Sequence, residues 1–384
     1  MDPTTVLILA VSFALLLLVG VPVAFCIGIS TALTLLLTVD PTSTMTTVAQ
    51  RVATGLDSFA LLAIPFFILA GQLMNRGGMA RRLVSFAKSV LGTFPGGLAY
   101  VNVVAAMLFG AVSGSAVAAA SGGVSIAALF LAGYLPGILV GLSLMAVAGV
   151  WAWRADYPTS DRVPLGETLR RFRDALPSLF MLVVVIGGIV AGIFTATEAA
   201  AIAVLYALVL AFVYREVTVK ELPEIFLEAV ETTAVVMLLI GTSIAMSWVL
   251  SYENIPQSLS RTLVALTDSR VGILLIINAI LLVVGTFMDM TPAVLIFTPI
   301  FLPIVTDLGF EPVHFGIIMV LNLCVGLCTP PVGSVLFVGA AVADTTISRL
   351  VRPLLPLFLA MVVALLVVTF VPEVSLWLPR LFGF

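Results

Sequence analysis

Three clusters combine a helix breaker with oxygen-bearing side chains inside long apolar runs. They are Ser113-Gly114-Ser115, Asp289 with Thr291 and Pro292, and Thr329-Pro330-Pro331-Val332-Gly333-Ser334. A proline in a membrane helix removes a backbone donor, and the carbonyl it frees must find another partner. A helix broken at membrane depth exposes carbonyls on one side of the break and amides on the other. Carbonyls and hydroxyls suit a hard cation such as Na+; amides and the positive end of the helix dipole suit an organic carboxylate. A site that holds both ions meets the physical requirement for symport. The candidate cation ligands are Ser113, Ser115, Gly285, Asp289, Thr329 and Val332. The candidate substrate contacts are Ser113, Gly114, Ser115, Asp289, Thr291, Pro330, Gly333 and Ser334.

Each cluster also has a plainer explanation. Ser-Gly-Ser permits close helix packing, Asp289 can cap the helix that follows it, and Thr329-Pro330 can be a turn at the membrane surface. A carboxylate between apolar runs is costly, which favours function for Asp289. Glu198, three residues after Thr195, has the spacing of a capping box and is read as a helix start. Asn102 and Asn322 are candidate interhelical hydrogen-bond donors. A serine protease of the membrane would need a histidine beside its serine. The single histidine, His314, follows a polar turn and is placed at a membrane edge. A passive channel lacks a visible filter motif.

The elements that position these clusters follow from composition. The chain is 61% hydrophobic and 10% charged, against about 25% charged in soluble domains, and its mean hydropathy is +1.25. About ten apolar stretches approach the ~20 residues needed to cross a bilayer. The class is therefore an all-α polytopic membrane protein. No basic patch points to nucleic acid, and Cys26, Cys324 and Cys328 lie in apolar runs, as small packing residues do. The first apolar segment, 6–37, carries Gly20-Val21-Pro22 and is kinked or divided, whereas 293–305 and 334–343 fall below spanning length. Short interrupted segments of this kind point to a transporter binding site. Arg76, Arg81, Arg82 and Lys88 form one basic group with no acid among them; Arg154, Arg162, Arg170, Arg171 and Arg173 form another. Both face the cytoplasm by the positive-inside rule. The second group marks a linker loop, 152–175, between two membrane repeats, 1–151 and 176–384. Residues 80–120 and 259–296 share a pattern of amphipathic stretch, polar break, apolar span and polar tip, the ground plan of an internal repeat.

At these residues the sequence resembles the large membrane subunit of the tripartite ATP-independent periplasmic (TRAP) transporters. The similar stretches are "DSFALLAIPFFILAGQLMNRGGMARRLV", "GAVSGSAVAAAS", "GIFTATEAAAIAVLYAL", "GTFMDMTPAVLIFTPIFLPI", "GLCTPPVGSVLFVGAAVAD" and "FVPEVSLWLPR". The resemblance implies a multi-pass protein of the bacterial inner membrane, not an enzyme. Its fold would have inverted repeats, broken helices and re-entrant hairpins, with a scaffold and an elevator-type transport domain. Its cargo would be a small organic acid, such as a C4-dicarboxylate, sialic acid or a sugar acid, moved with Na+ as the coupling ion and with no tightly bound cofactor. Its partners would be a small TRAP membrane subunit and a periplasmic substrate-binding protein, docking near outward loops at Asp57, Glu253 and Glu311. Thr329-Pro330 would form the tip of a hairpin arm. The alternative within the superfamily is a stand-alone Na+/carboxylate symporter. One departure stands out. "SGSAVAAAS" runs straight into "GGVSIAALFLAGYLPG", so a segment worth about two crossings of roughly 20 residues each is missing after Ser121. It is either deleted or part of the protein outside the resolved chain. The second is favoured, because losing half a cation site would leave cavity-lining backbone unsatisfied.

Overall fold

The computed structural model describes residues 3–113, 125–155, 163–267, 269–329, 333–342 and 345–384. These form seventeen α-helices and no strand. In chain order they begin with α1 (Pro3–Leu18), α2 (Val23–Leu35), α3 (Pro41–Leu56), α4 (Ala63–Arg76), α5 (Met79–Leu91) and α6 (Gly97–Ser113). Next come α7 (Ile126–Arg154), α8 (Leu165–Val190), α9 (Ala196–Val213), α10 (Leu222–Tyr252) and α11 (Ile255–Leu266). The chain closes with α12 (Arg270–Phe287), α13 (Met290–Asp307), α14 (Pro312–Leu327), α15 (Ser334–Val342), α16 (Ile347–Phe370) and α17 (Glu373–Leu381). Among the described residues seven helices, α7 to α10, α12, α13 and α16, are long and apolar enough to cross a membrane. Glycine and proline hold several others below that length. The first apolar segment is two helices: Gly20 takes φ +85° and Pro22 begins α2. Residues 293–305, expected to be too short to span, extend to an 18-residue helix because Asp289 and Leu308 cap α13 at both ends.

The chain forms two compact units, and each draws on both halves of the sequence. The first contains α1 to α3, the second half of α10, and α11 to α15. Here α1 packs on α2, α12 on α14, and α13 on α11 and α14. A Cβ on Gly28 would lie 3.2 Å from Thr242, and one on Gly55 2.7 Å from Ile244, so α2 and α3 approach α10 closely. The Arg51 guanidinium lies 4.9 Å from the Trp248 ring centroid. The pairs 51/248 and 55/244 make α3 antiparallel to the end of α10. Asp57 therefore stands beside the interior of α10. Glu253 is beyond its last turn, roughly 16 Å farther along at 1.5 Å per residue. These two acids, expected on outward loops, lie at different levels along α10; Glu311 is the residue before α14.

The second unit contains α4 to α9, the first half of α10, most of α16, and α17. Ala199, Ala203, Ala207 and Ala211 recur every four residues along α9 and are fully buried. This seam of small residues lets α4 press Ala63, Phe67, Ala70 and Leu73 against it. The start of α9 is the expected capping box: Glu198 N donates to Thr195 Oγ1 at 3.3 Å and Thr195 N donates to Glu198 Oε2 at 2.7 Å. The basic group at the end of α4 and on α5 finds its acids far away in sequence. Arg76 pairs with Glu224 at 3.1 Å and with Glu228, and Arg81 and Arg82 pair with Glu216. The Arg81 hydrogen bond holds the Glu216 carboxyl below the usual carboxylate range. Of the expected loop, 152–175, the described residues are largely helical. Helix α7 continues to Arg154 and α8 begins at Leu165. The polar stretch "LGETLRRFRDAL" is a helical turn sequence, with an Arg171–Glu167 pair at i, i+4.

Candidate functional site at two broken helices

Two helix interruptions meet in the first unit. The first is the turn at Met288 and Asp289 between α12 and α13. The second is the interruption after Cys328 between α14 and α15. The sequence placed Thr329 at a hairpin tip. In the structure Met288 and Asp289 form a two-residue turn, Thr329 follows the end of α14, and Pro330 lies outside the described residues.

Helices α12 and α14 cross at Gly285 and Gly326, backbone against backbone. A Cβ on Gly326 would lie 2.7 Å from Gly285 Cα, and one on Gly285 3.1 Å from Gly326 Cα. Below the crossing, Asn322 Nδ2 donates to Asn278 O at 2.9 Å and to Asn278 Oδ1 at 2.7 Å, both residues being buried. Asn322 is thus the interhelical donor its sequence position suggested, whereas Asn102 is exposed. We expect Asn322→Leu to cost about 0.6–2 kcal/mol in thermal or denaturant unfolding of the purified protein. An unchanged unfolding curve would remove the pair from this role.

Above the crossing the broken ends satisfy one another. The last carbonyls of a helix have no partner within it. Thr286 O at the end of α12 accepts from Gly333 N at 3.1 Å, which ties the second break to the first. Gly333 is buried at φ +35°, and a Cβ there would lie 2.7 Å from Leu327 O and 2.9 Å from Thr329 O. The close return of the chain over these two carbonyls requires glycine. Thr329 Oγ1 donates to Val325 O at 2.9 Å, and Thr329 N to Gly326 O at 2.8 Å. Asp289 is the N-cap of α13, with Oδ1 accepting from Met290 N at 2.9 Å, and its side chain is exposed. Thr291 follows on the first turn of α13. Cys324 Sγ, on α14, lies 3.6 Å from Met290 Sδ, so the α13 start also touches α14.

Of the predicted residues, Gly285, Thr329 and Gly333 are brought together, and Asp289 and Thr291 begin the helix beside them. Ser334 opens α15 and Ser113 closes α6; Gly114, Ser115, Pro330 and Val332 lie outside the described residues. Thr286, Gly326 and the Asn278–Asn322 pair were not singled out as site residues. The signal for Thr286 and Gly326 was available, because each sits at the apolar end of a flagged break. Among the described residues no three His, Cys, Asp or Glu side chains converge. A cation here would meet the carbonyls at the ends of α12 and α14 and the Thr329 hydroxyl. An anion would meet the amides at the starts of α13 and α15. His314 is buried in the first turn of α14.

The family described as "Tripartite ATP-independent periplasmic transporter, DctM component" matches residues 10–122 and 118–374. The chain belongs to this family. It is a TRAP large permease, a multi-pass protein of the bacterial inner membrane. It is 47% identical to the uncharacterised protein YgiK of Salmonella typhimurium, over 98% of each chain. It is 39% identical to the C4-dicarboxylate TRAP transporter large permease protein DctM of Pseudomonas aeruginosa, over 93% of this chain and 94% of that one. It is 36% identical to the sialic acid TRAP transporter large permease protein SiaM of Vibrio cholerae, over 96% of each. The crystal structure of the Alcanivorax borkumensis YdaH transporter matches 87% of this permease and 89% of its own chain, with TM-score 0.55 and 15% identity, a likeness of fold.

These matches also locate the missing segment. The two family matches meet and overlap at 118–122, and the alignment with YgiK runs over 425 positions against the 384 residues of this permease. At least 41 alignment positions, the difference, have no residue here. That is the size of the two ~20-residue crossings missed in the sequence. Ser121 is bonded directly to Gly122, so the segment is absent from the chain, contrary to the reading that it is present but unseen.

Proposed function

We propose that this permease is the translocating subunit of a Na+-coupled importer of a small organic acid. A periplasmic binding protein delivers the acid, and a small membrane subunit completes the complex. The observation that supports this most is the bond from Gly333 N to Thr286 O, at 3.1 Å, which joins the two breaks in one place. Carbonyl ends beside amide ends provide for a cation and an anion together. Na+ bound to the carbonyls of 285–287 and 326–329 would hold the two breaks in one geometry, and the carboxylate would then meet preset amides. Binding of either ion favours the same arrangement, which is what coupling requires. The names of relatives support an organic acid, since one is a permease for C4-dicarboxylates and another for sialic acid.

Thr329 offers a hydroxyl oxygen at the second break, Ser115 is the ligand expected from the sequence at the Ser-Gly-Ser cluster, and Na+ favours hard oxygen donors. In proteoliposomes Thr329→Val and Ser115→Ala should each raise the Na+ concentration that gives half-maximal uptake. The shift should be about tenfold for loss of one ligand worth roughly 1.4 kcal/mol. Unchanged Na+ dependence in both folded variants would reject the assignment. The second reading is a stand-alone Na+/carboxylate symporter. It predicts uptake without a binding protein.

A further inference from the structure

The three cysteines do not share one environment. Cys26 is fully buried in α2, and its Sγ donates to Val21 O at 3.2 Å, so it behaves as a small packing residue. Cys324 is exposed and Cys328 is half-buried, and both are free thiols. Cys324 Sγ lies 3.6 Å from Met290 Sδ, at the start of α13. Cys328 follows four residues on as the C-cap of α14, with φ −96° and ψ 1°. Side chains four apart share one helix face, with Cβ atoms about 5–6 Å apart. Both Cys328 and Asp289 are close enough to act electrostatically on the Cys324 thiol. Three sulfurs are thus gathered about Cys324: a thioether from the start of one helix and two thiols from the end of another.

The donors select the ligand. Thiol and thioether sulfurs favour soft cations such as Cu(I), whereas Na+ and Mg2+ favour oxygen. Zinc takes four ligands in a closed tetrahedron, and among the described residues no three His, Cys, Asp or Glu side chains form a group. The spacing is already that of ligands on one ion. At a metal–sulfur distance of about 2.3 Å, two sulfurs on the same ion stand up to ~4.6 Å apart, and Cys324 and Met290 are within that limit. Charge points the same way. A monovalent ion bound through the Cys324 thiolate releases one proton and leaves a neutral complex, the least costly product among apolar side chains. Met290 and Cys328 then donate as neutral sulfurs. We infer that Cys324, Cys328 and Met290 form a binding site for one soft monovalent metal ion of the Cu(I) class, which ties the start of α13 to the end of α14. The site uses none of the oxygen and amide groups assigned to Na+ and the organic acid, so it stands independently of that assignment.

Silver(I), a soft monovalent ion that needs no reductant, is the probe. It would be added to the purified permease in nanodiscs, in chloride-free nitrate buffer. Bound metal would be measured after gel filtration, and thermal unfolding would be followed in parallel. The parent should retain one Ag+ per chain and melt at a higher temperature with it, because a ligand held only by the folded state stabilises that state. Cys324→Ser should lose the ion. Cys328→Ser and Met290→Leu should each weaken binding at least about tenfold, the lower end of what losing even a supporting group costs a metal site. Cys26→Ser should bind as the parent does, and Zn2+ at the same concentrations should leave the parent's melting temperature unchanged. Met290→Leu keeps an apolar side chain of similar size, so it carries the test if a cysteine variant fails to fold. Binding indifferent to Met290→Leu would reduce the site to ordinary thiol reactivity and overturn the inference. No retained silver in the parent, loss of the ion in Cys26→Ser, or equal stabilisation by Zn2+ would overturn it as well.

Discussion

Gly326→Ala should abolish transport and destabilise the permease, although it adds a single methyl group. The new Cβ would stand 2.7 Å from Gly285 Cα and 2.8 Å from Gly285 C. Both are backbone atoms, with no flexible side-chain end to move aside. Relief requires α12 and α14 to separate. The paired amides of Asn322 and Asn278 span the same two helices on one side of that crossing, and the Gly333 N–Thr286 O bond ties α12 to the start of α15 on the other. Overpacking alone costs about 1–3 kcal/mol, and the loss of register at the breaks adds to it. The expected result is a lower melting temperature together with uptake at background. Gly71, whose Cβ would meet nothing within 4 Å, supplies the control: Gly71→Ala should leave uptake as it is. Normal transport and melting in Gly326→Ala would show that the two backbones do not touch in the membrane.

Asp289→Asn should separate structure from charge. The carboxylate caps α13 by accepting from Met290 N, and asparagine caps almost equally well. The fold should therefore survive, with the melting temperature near that of the parent. The lost charge is the one carboxylate at the turn joining α12 to α13, close to where a cation would meet the α12 carbonyls. Removing even about 1.4 kcal/mol of attraction reduces cation occupancy tenfold, and the uptake rate at low Na+ should fall at least that far. Asp289→Ala should lose both properties, with about 1 kcal/mol less stability from the missing cap. Parent-like uptake by Asp289→Asn would reduce the residue to a cap.

Local chemistry was legible in the sequence wherever the partners were near neighbours. Gly20-Val21-Pro22 announced the division of α1 from α2, because glycine supplies the positive φ and proline a fixed one. Thr195 and Glu198 announced the start of α9. The polar clusters at Asp289 and Thr329 pointed to breaks because their cost in an apolar setting is independent of tertiary detail. Residues 165–175 were misread because a charge-rich stretch was taken for loop; its Leu, Glu and Arg are good helix formers. The acids that meet Arg76, Arg81 and Arg82 lie more than 130 residues away, and no pattern at the basic group points to them. The crossing of Gly285 with Gly326 is likewise long-range. Each glycine alone fits a flexible break as well as it fits a backbone contact.

The measurement closest to the central claim is uptake by the reconstituted complex with each component omitted in turn. Proteoliposomes would contain this permease with its small membrane subunit, and loaded binding protein would be supplied outside. An inward Na+ gradient should drive accumulation of the acid only when all three are present, and an equal K+ gradient should not. Gradient-driven uptake of the free acid by this permease alone, at the rate of the full system, would contradict the tripartite account and favour a stand-alone symporter. Full uptake under K+ would contradict Na+ coupling.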